Sequence, residues 1–198
     1  MISLSLHRNI TGEDLDSASQ AKKSAFKTPT SLGFSQVKEV LENYYKFTFV
    51  RDPFSRILSA YLQKIEQGKG TRKAKYKKMI RKRLGLNPNH EISFDDFIHY
   101  LDQGGIMDDP HWIPQSYYID MLGHDKLHFV GRVENLIQDL HKLYCEILGN
   151  DNFFLPKYKK KETGSTNQLD KYYTRKSKKM IENLYVKDLE KFENANRI

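Results

Sequence analysis

The clearest pattern in the chain runs from residue 54 to 65. Phe54, Ile57, Leu58, Tyr61, Leu62 and Ile65 recur at the i, i+3, i+4 spacing of one helical face. Asp52 is placed to cap this helix, Pro53 suits its first turn, and Gly68 is a plausible stop. Immediately upstream, "KFTFV" is short, aromatic and β-branched, as a buried parallel strand should be. Before it, Phe34, Val37, Val40 and Leu41 mark one face of a short helix. Residues 1–30 are polar and have no strong period.

Downstream, "SFDDFIHYLDQGG" predicts a helix capped by Ser93, with Asp96 at the capping-box position and Gly104 or Gly105 as its end. "IMDDPHWIPQSYYIDMLG" reads as a loop, with two prolines and clustered His, Trp and Tyr. "LHFVG" predicts a second buried strand. "RVENLIQDLHKLYCEILG" predicts an amphipathic helix on Val133, Leu136, Ile137, Leu140, Tyr144, Ile147 and Leu148 that ends at Gly149. "LPKYKKKETGSTN" is a basic, polar loop, and "SKKMIENLYVKDLEKF" predicts a closing helix. Strands alternating with helices indicate an α/β layered fold with a parallel sheet, formed by one domain over residues 1–198.

Charge adds a local feature to this picture. Residues 69–83, "KGTRKAKYKKMIRKR", hold nine Lys or Arg and no acid; taking those nine from the chain's 33 leaves 24 basic against 25 acidic residues. The net charge of +8 therefore comes from one segment, predicted helical and ending near "GLNPN". Such a segment is either a solvated helix face or a surface for an anionic partner: an acidic polysaccharide, a nucleic acid or a membrane surface. No stretch approaches the ~20 apolar residues of a membrane helix, and the N-terminus lacks a signal-peptide pattern. The lone cysteine, Cys145, excludes an internal disulfide and a Cys-based zinc site, and its helical pattern predicts an inert core thiol. No metal site is expected. These features lead to the expectation of a reducing, cytoplasmic location.

The chemistry concentrates where "KFTFV" meets the helix. In a parallel sheet, ligands gather at the C-terminal ends of strands. Arg51 stands at such an end, and the helix beginning at Pro53 aims its free N–H groups at the same space. Ser55 and Ser59, four residues apart, share a face opposite the apolar stripe. Two readings follow from the residues alone: a well-made strand–helix corner, or a phosphate cradle built from an arginine, a helix N-terminus and a serine hydroxyl.

"KFTFVRDPFSRILSAYLQK" closely resembles the 3′-phosphate-binding element of carbohydrate sulfotransferases, in particular the chondroitin 4-O- and HNK-1-type enzymes and their bacterial relatives. The family pattern of a strand, Arg-Asp-Pro-Phe, Arg and Ser-Ala-Tyr stands here as Arg51, Asp52, Pro53, Phe54, Arg56, Ser59, Ala60 and Tyr61. "SFDDFIHYL", "DPHWIPQ", "LHFVGRVENLIQDL" and "YYTRKSKKMIENLYVKDLEKF" resemble later family blocks in the same order, so the resemblance spans roughly residues 40–195. It implies a three-layer parallel sheet of P-loop nucleotide-binding type and transfer of a sulfuryl group from 3′-phosphoadenosine 5′-phosphosulfate (PAPS) to a carbohydrate hydroxyl. By position, Arg51 and Ser59 would bind the donor's 3′-phosphate. Lys161, Thr163 and Ser165 would belong to a basic loop wrapped over the nucleotide. Transfer needs a base for the acceptor's proton. His111 in "DDPHWIPQ" is the foremost candidate, with His7, Glu134 and His99 as weaker ones, and neighbouring Trp112 is placed to stack on a sugar or purine ring. The basic segment would suit an acidic polysaccharide acceptor.

The sequence departs from the family in one respect. The loop that grips the 5′-phosphosulfate, with its lysine and Ser/Thr-rich turn, is not found upstream of Arg51. Lys27 and Thr28 in "SAFKTPTSLG" are its nearest match, but lack the flanking strand and helix. The expectation is an N-terminally incomplete sulfotransferase fold. Its rivals are a non-catalytic nucleotide- or glycan-binding remnant of that fold and a nucleic-acid-binding module acting through residues 69–83. The last is disfavoured because only Tyr76 interleaves the basic run.

Overall fold

A computed structural model describes residues 34–67, 70–123, 127–149 and 164–194. The chain forms two compact units, one from residues 1–49 and 125–161 with Ile198, the other from residues 50–124 and 162–197.

In the first unit, α1 (Phe34–Asn43) leads into β1 (Phe47–Val50), whose last residue belongs to the second unit. β1 pairs with β2 (Phe129–Arg132) in a two-stranded sheet. The Lys46 carbonyl, just before β1, accepts the His128 and Phe129 N–H groups at 2.8 and 3.3 Å, so both strands start at the same edge and run parallel. Helix α6 (Leu136–Leu148) follows β2 and packs Leu140, Leu143 and Tyr144 against Phe129, with Phe47 and Phe49 at the margin. Its buried stripe is narrower than predicted, since Ile137, Ile147 and Leu148 are exposed. Buried Asp139 accepts the Arg132 N–H at 2.7 Å, and Gly149 ends the helix with φ +64°. Cys145 is half-buried beside His141 rather than a core thiol.

The second unit is mainly helical. Asp52 caps α2 (Pro53–Tyr61) by accepting the Ser55 N–H at 2.8 Å, and Pro53 sits in the first turn, as predicted. A single wider turn, Leu62–Glu66, continues the helix. The basic segment forms α3 (Gly70–Leu84), ending at Gly85 with φ +64°. Ser93 and Asp96 build the predicted capping box of α4 (Phe94–Asp102). A short 3₁₀ turn, Gly105–Met107, follows.

Two expectations are corrected here. The segment read as a loop contains a helix, α5 (Gln115–Leu122), and the closing helix is two. After the 3₁₀ turn Ser165–Gln168 and the short α7 (Leu169–Tyr172), α8 (Arg175–Leu184) stops at Tyr185. There φ is −119° and ψ is 27°, and α9 (Val186–Asn194) follows. The break lets Tyr185 and Asp188 turn into the interior, where each is 1% exposed.

The predicted stripe of α2 is buried against this helical layer. Ile57, Leu58, Tyr61, Leu62 and Ile65 join Phe94, Phe97, Tyr100, Leu101, Ile181 and Tyr185 in one core, with Trp112 fully enclosed in it. Trp112 therefore has no face available to a ligand ring, contrary to the stacking role expected for it. Gly105 is required by this packing, because a Cβ there would collide with the buried Tyr100 ring. Gly105→Ala is expected to cost about 1–3 kcal/mol of stability through overpacking. Denaturant unfolding with an unchanged midpoint would show that the Tyr100 ring has room to move.

Candidate functional site

Arg51 follows the last residue of β1, where its own N–H and C=O have left the sheet ladder. The Gln115 side chain takes both: Oε1 accepts the Arg51 N–H at 2.9 Å, and Nε2 donates to the Arg51 carbonyl at 2.8 Å. The Arg51 guanidinium donates from Nη2 to Ser165 Oγ at 2.7 Å. Two candidates 114 positions apart in sequence thus meet at the N-terminus of α2. Ser165 is buried and opens the 3₁₀ turn behind Gly164, whose φ is +63°.

Ser59 lies on the second turn of α2 and is half-buried. Ser55 does not share an open polar face with it. Ser55 is buried, and its hydroxyl donates to the Asp52 carbonyl at 3.2 Å, which makes it part of the corner itself. Lys161 and Thr163 lie outside the described residues, as do His7, Lys27 and Thr28. A cleft of about 290 Å³ lies against the same 3₁₀ turn, lined by Phe54, Thr166, Asn167, Leu169, Tyr173 and Lys178 among others. It offers apolar rings and amide and hydroxyl groups together.

His111 sits on a turn fastened from several sides. Its own N–H donates to Asp109 Oδ1 at 2.9 Å, and its ring Nδ1 bonds the same oxygen. Tyr76 donates to Asp109 Oδ2 at 2.7 Å. Burial pushes the Asp109 carboxyl up, but the His111 N–H, the Tyr76 hydroxyl and the His111 ring outweigh it and hold the carboxyl below its usual value. A depressed carboxyl contributes stability above its unfolded pKa of about 3.9, lost as the pH falls through the lower folded value. With Nδ1–H directed at this carboxylate, the neutral ring keeps Nε2 as its acceptor. The imidazole is largely exposed, at 44%.

The rest of the turn is held by residues that sequence reasoning did not single out. Arg56 Nη2 donates to the Ile113 carbonyl at 2.8 Å and to that of Pro110 at 3.3 Å. Burial lowers the pKa of the Arg56 guanidinium, and nearby Tyr185 and Asp188 counter that effect. Tyr185 donates to the Trp112 carbonyl at 2.6 Å, and Trp112 Nε1 donates to the Gly105 carbonyl at 2.9 Å. The Asp188 carboxylate accepts the Gln115 and Ser116 N–H groups, both at 2.7 Å. Helix α5 thus has its cap supplied from α9. The signals existed in sequence as Arg56 in the family pattern and as a lone acid in an otherwise apolar register, but neither specifies its partners, which lie 54 and 57 positions from Arg56 and 72 and 73 from Asp188.

Of the weaker base candidates, His99 lies on α4 with Nε2 3.4 Å from Lys176 Nζ, and Glu134 is an exposed residue of the other unit. On α3, Lys77 pairs with Glu91, Arg81 donates to the His90 carbonyl and Arg83 bonds Asp108, so part of the basic segment fastens the helix to its surroundings. Lys75, Lys78 and Lys82 instead form an exposed row at i, i+3, i+7.

A model of the sulfotransferase family matches residues 5–194 of the chain. The chain belongs to the sulfotransferase family. The match reaches well upstream of residue 40, where the resemblance in sequence began. Among curated proteins, carbohydrate sulfotransferase 14 of Mus musculus is 30% identical over 113 residues, covering 54% of this chain and 30% of that protein. Carbohydrate sulfotransferase 11 of Rattus norvegicus is 31% identical over 135 residues, covering 62% and 38%. Carbohydrate sulfotransferase 9 of Homo sapiens is 28% identical over 166 residues, covering 75% and 37%. The chain spans about a third of the length of these sulfotransferase relatives. No solved structure matches it. The expectation of a cytoplasmic location is overturned by the same sulfotransferases, which are Golgi membrane enzymes. Among the described residues no helix is long and apolar enough to cross a membrane.

Proposed function

We propose that this sulfotransferase-family chain binds PAPS and takes part in sulfuryl transfer to a carbohydrate hydroxyl. The observation that carries the reading is the meeting of Arg51 and Ser165 beside the N-terminus of α2. A guanidinium, a hydroxyl and a helix N-terminus converge there, as binding of a phosphate dianion requires. Ser59 would add a second hydroxyl, and Lys161 and Thr163 would belong to the covering loop. The cleft along Phe54, Thr166 and Tyr173 has the mixed lining that suits a nucleoside. The parallel pairing of β1 with β2 supports assigning the fold to the three-layer, P-loop nucleotide-binding type.

The reaction forms a bond from the acceptor oxygen to sulfur and breaks the bond from sulfur to the phosphate oxygen, leaving adenosine 3′,5′-bisphosphate. His111 Nε2 would take the acceptor's proton, with Asp109 holding the ring and stabilising its charged form. The exposed Lys75, Lys78 and Lys82 support an acidic polysaccharide as acceptor, since a row of like charges gains by meeting a polyanion.

The reading is tested by calorimetry with adenosine 3′,5′-bisphosphate and with adenosine 5′-phosphate. The wild-type chain is expected to prefer the first. Arg51→Ala should remove about 1.5–3 kcal/mol of that preference, the range for a hydrogen bond to a charged group. Equal affinity of Arg51→Ala and wild type for the bisphosphate would take Arg51 out of the site.

A further inference from the structure

Arg51 can hold its guanidinium in place only as firmly as the main chain beneath it is held. Its backbone has just left β1, and the partner that replaces the sheet ladder is a side chain, the Gln115 amide, bonded to both Arg51 main-chain groups. Gln115 is in turn fixed at its own backbone by Asp188, a carboxylate 1% exposed whose other oxygen holds the next residue, Ser116. The same stretch of chain carries His111 four positions earlier, and Arg56 and Tyr185 tie down its carbonyls at Pro110, Trp112 and Ile113. Arg56 Nη1 is buried with no hydrogen-bond partner among the described residues, so the guanidinium is held in place by its two carbonyl contacts rather than by full satisfaction of its donors.

We infer that Gln115 is a positioning residue of the donor site. Its amide sets where Arg51 stands at the end of β1, and through the Asp188-held start of α5 it joins Arg51 to the turn that carries His111. The inference rests on the proposed 3′-phosphate role of Arg51. The physical ground is that two short, well-directed bonds to one residue's N–H and C=O fix its position as a neighbouring strand would. A group anchored in this way loses less freedom when it binds a ligand.

The test uses two variants and a ratio. Gln115→Ala removes both bonds. Gln115→Glu keeps the shape and the acceptor for the Arg51 N–H, but sets a carboxylate oxygen against the Arg51 carbonyl in place of the donor. Each should lower affinity for adenosine 3′,5′-bisphosphate about tenfold, the scale of one charged hydrogen bond misplaced. Affinity for adenosine 5′-phosphate should stay within about twofold by the same argument. A purely structural role would lower both affinities together or neither, leaving their ratio unmoved, and that result overturns the inference. If alanine prevents folding, the near-isosteric glutamate variant carries the same comparison. A wild-type chain that binds both nucleotides equally would overturn the 3′-phosphate reading itself and this inference with it. A wild-type preference preserved in both variants overturns only the inference.

Discussion

Alanine in place of Trp112 is expected to destabilise the protein by about 3–5 kcal/mol, the range for removing a large buried aromatic. Trp112 is fully buried, and its ring meets the edges or faces of Phe97, Tyr76 and Tyr100 with centroids 5.3, 5.4 and 6.3 Å away. Its truncation opens a cavity among side chains from α3, α4 and the His111 turn at once, and strips the Gly105 carbonyl of its donor. Trp112→Phe keeps most of the ring and loses the indole N–H, so it should cost less, about 1–3 kcal/mol for a buried acceptor left unpaired. Because Trp112 is the chain's one tryptophan, unfolding is best followed by circular dichroism in denaturant. A loss below about 1 kcal/mol for the alanine variant would mean the pocket collapses around the gap, and the turn would then not depend on this ring for its place.

The parts of this fold that were legible in sequence are those specified by neighbours. Asp52 and Pro53 start α2, Ser93 and Asp96 start α4, and Gly149 ends α6, each through contacts within a few residues. The apolar stripe of α2 was equally plain, since every member of it falls at helical spacing. Helix α5 was hidden because its start carries no local cap: Pro114 offers no side-chain acceptor, and Asp188 supplies one from 72 to 73 positions away. Pattern reading weighs propensity and local punctuation, and a cap delivered by tertiary packing leaves no trace in either. The break at Tyr185 was hidden for the opposite reason. The sequence across it favours a continuous helix, and the gain from burying Tyr185 and Asp188 on the interior outweighs one interrupted turn.

The candidate site divides in the same way. Arg51 was marked by its place at a strand end, and Ser165 by its place in a Ser/Thr loop, yet nothing in the sequence said that the two side chains touch. Trp112 was misread because an aromatic in a proline-flanked loop resembles a ligand platform, whereas the loop here is folded inward around it. Gln115, Arg56 and Asp188 went unnoticed as site residues because their partners are main-chain atoms, and main-chain partners have no signature of residue type.

His111→Ala is expected to lower kcat for sulfuryl transfer by about 10²–10⁴, the usual worth of a positioned general base. The geometry separates this loss from a loss of binding. The imidazole is held at Nδ1 by Asp109, which is itself held by Tyr76, so the ring's orientation is fixed from behind while Nε2 remains for a proton. Arg51 and Ser165, the groups assigned to the donor, bond each other, whereas the imidazole is held by Asp109. Affinity for adenosine 3′,5′-bisphosphate in the alanine variant should therefore match wild type within about twofold, well under the effect of one lost hydrogen bond. Asp109→Asn should show a smaller fall in kcat, because an amide can still hold the ring but no longer stabilises its charged form. The decisive comparison is single-turnover transfer to a desulfated polysaccharide alongside nucleotide binding, on variants whose unfolding midpoints match wild type. Unchanged turnover in His111→Ala would assign the proton to another group, and His99, beside Lys176, would be the next residue to replace. A parallel fall in nucleotide affinity would instead make His111 part of the donor site, and the roles of Arg51 and the His111 turn would have to be redrawn as one.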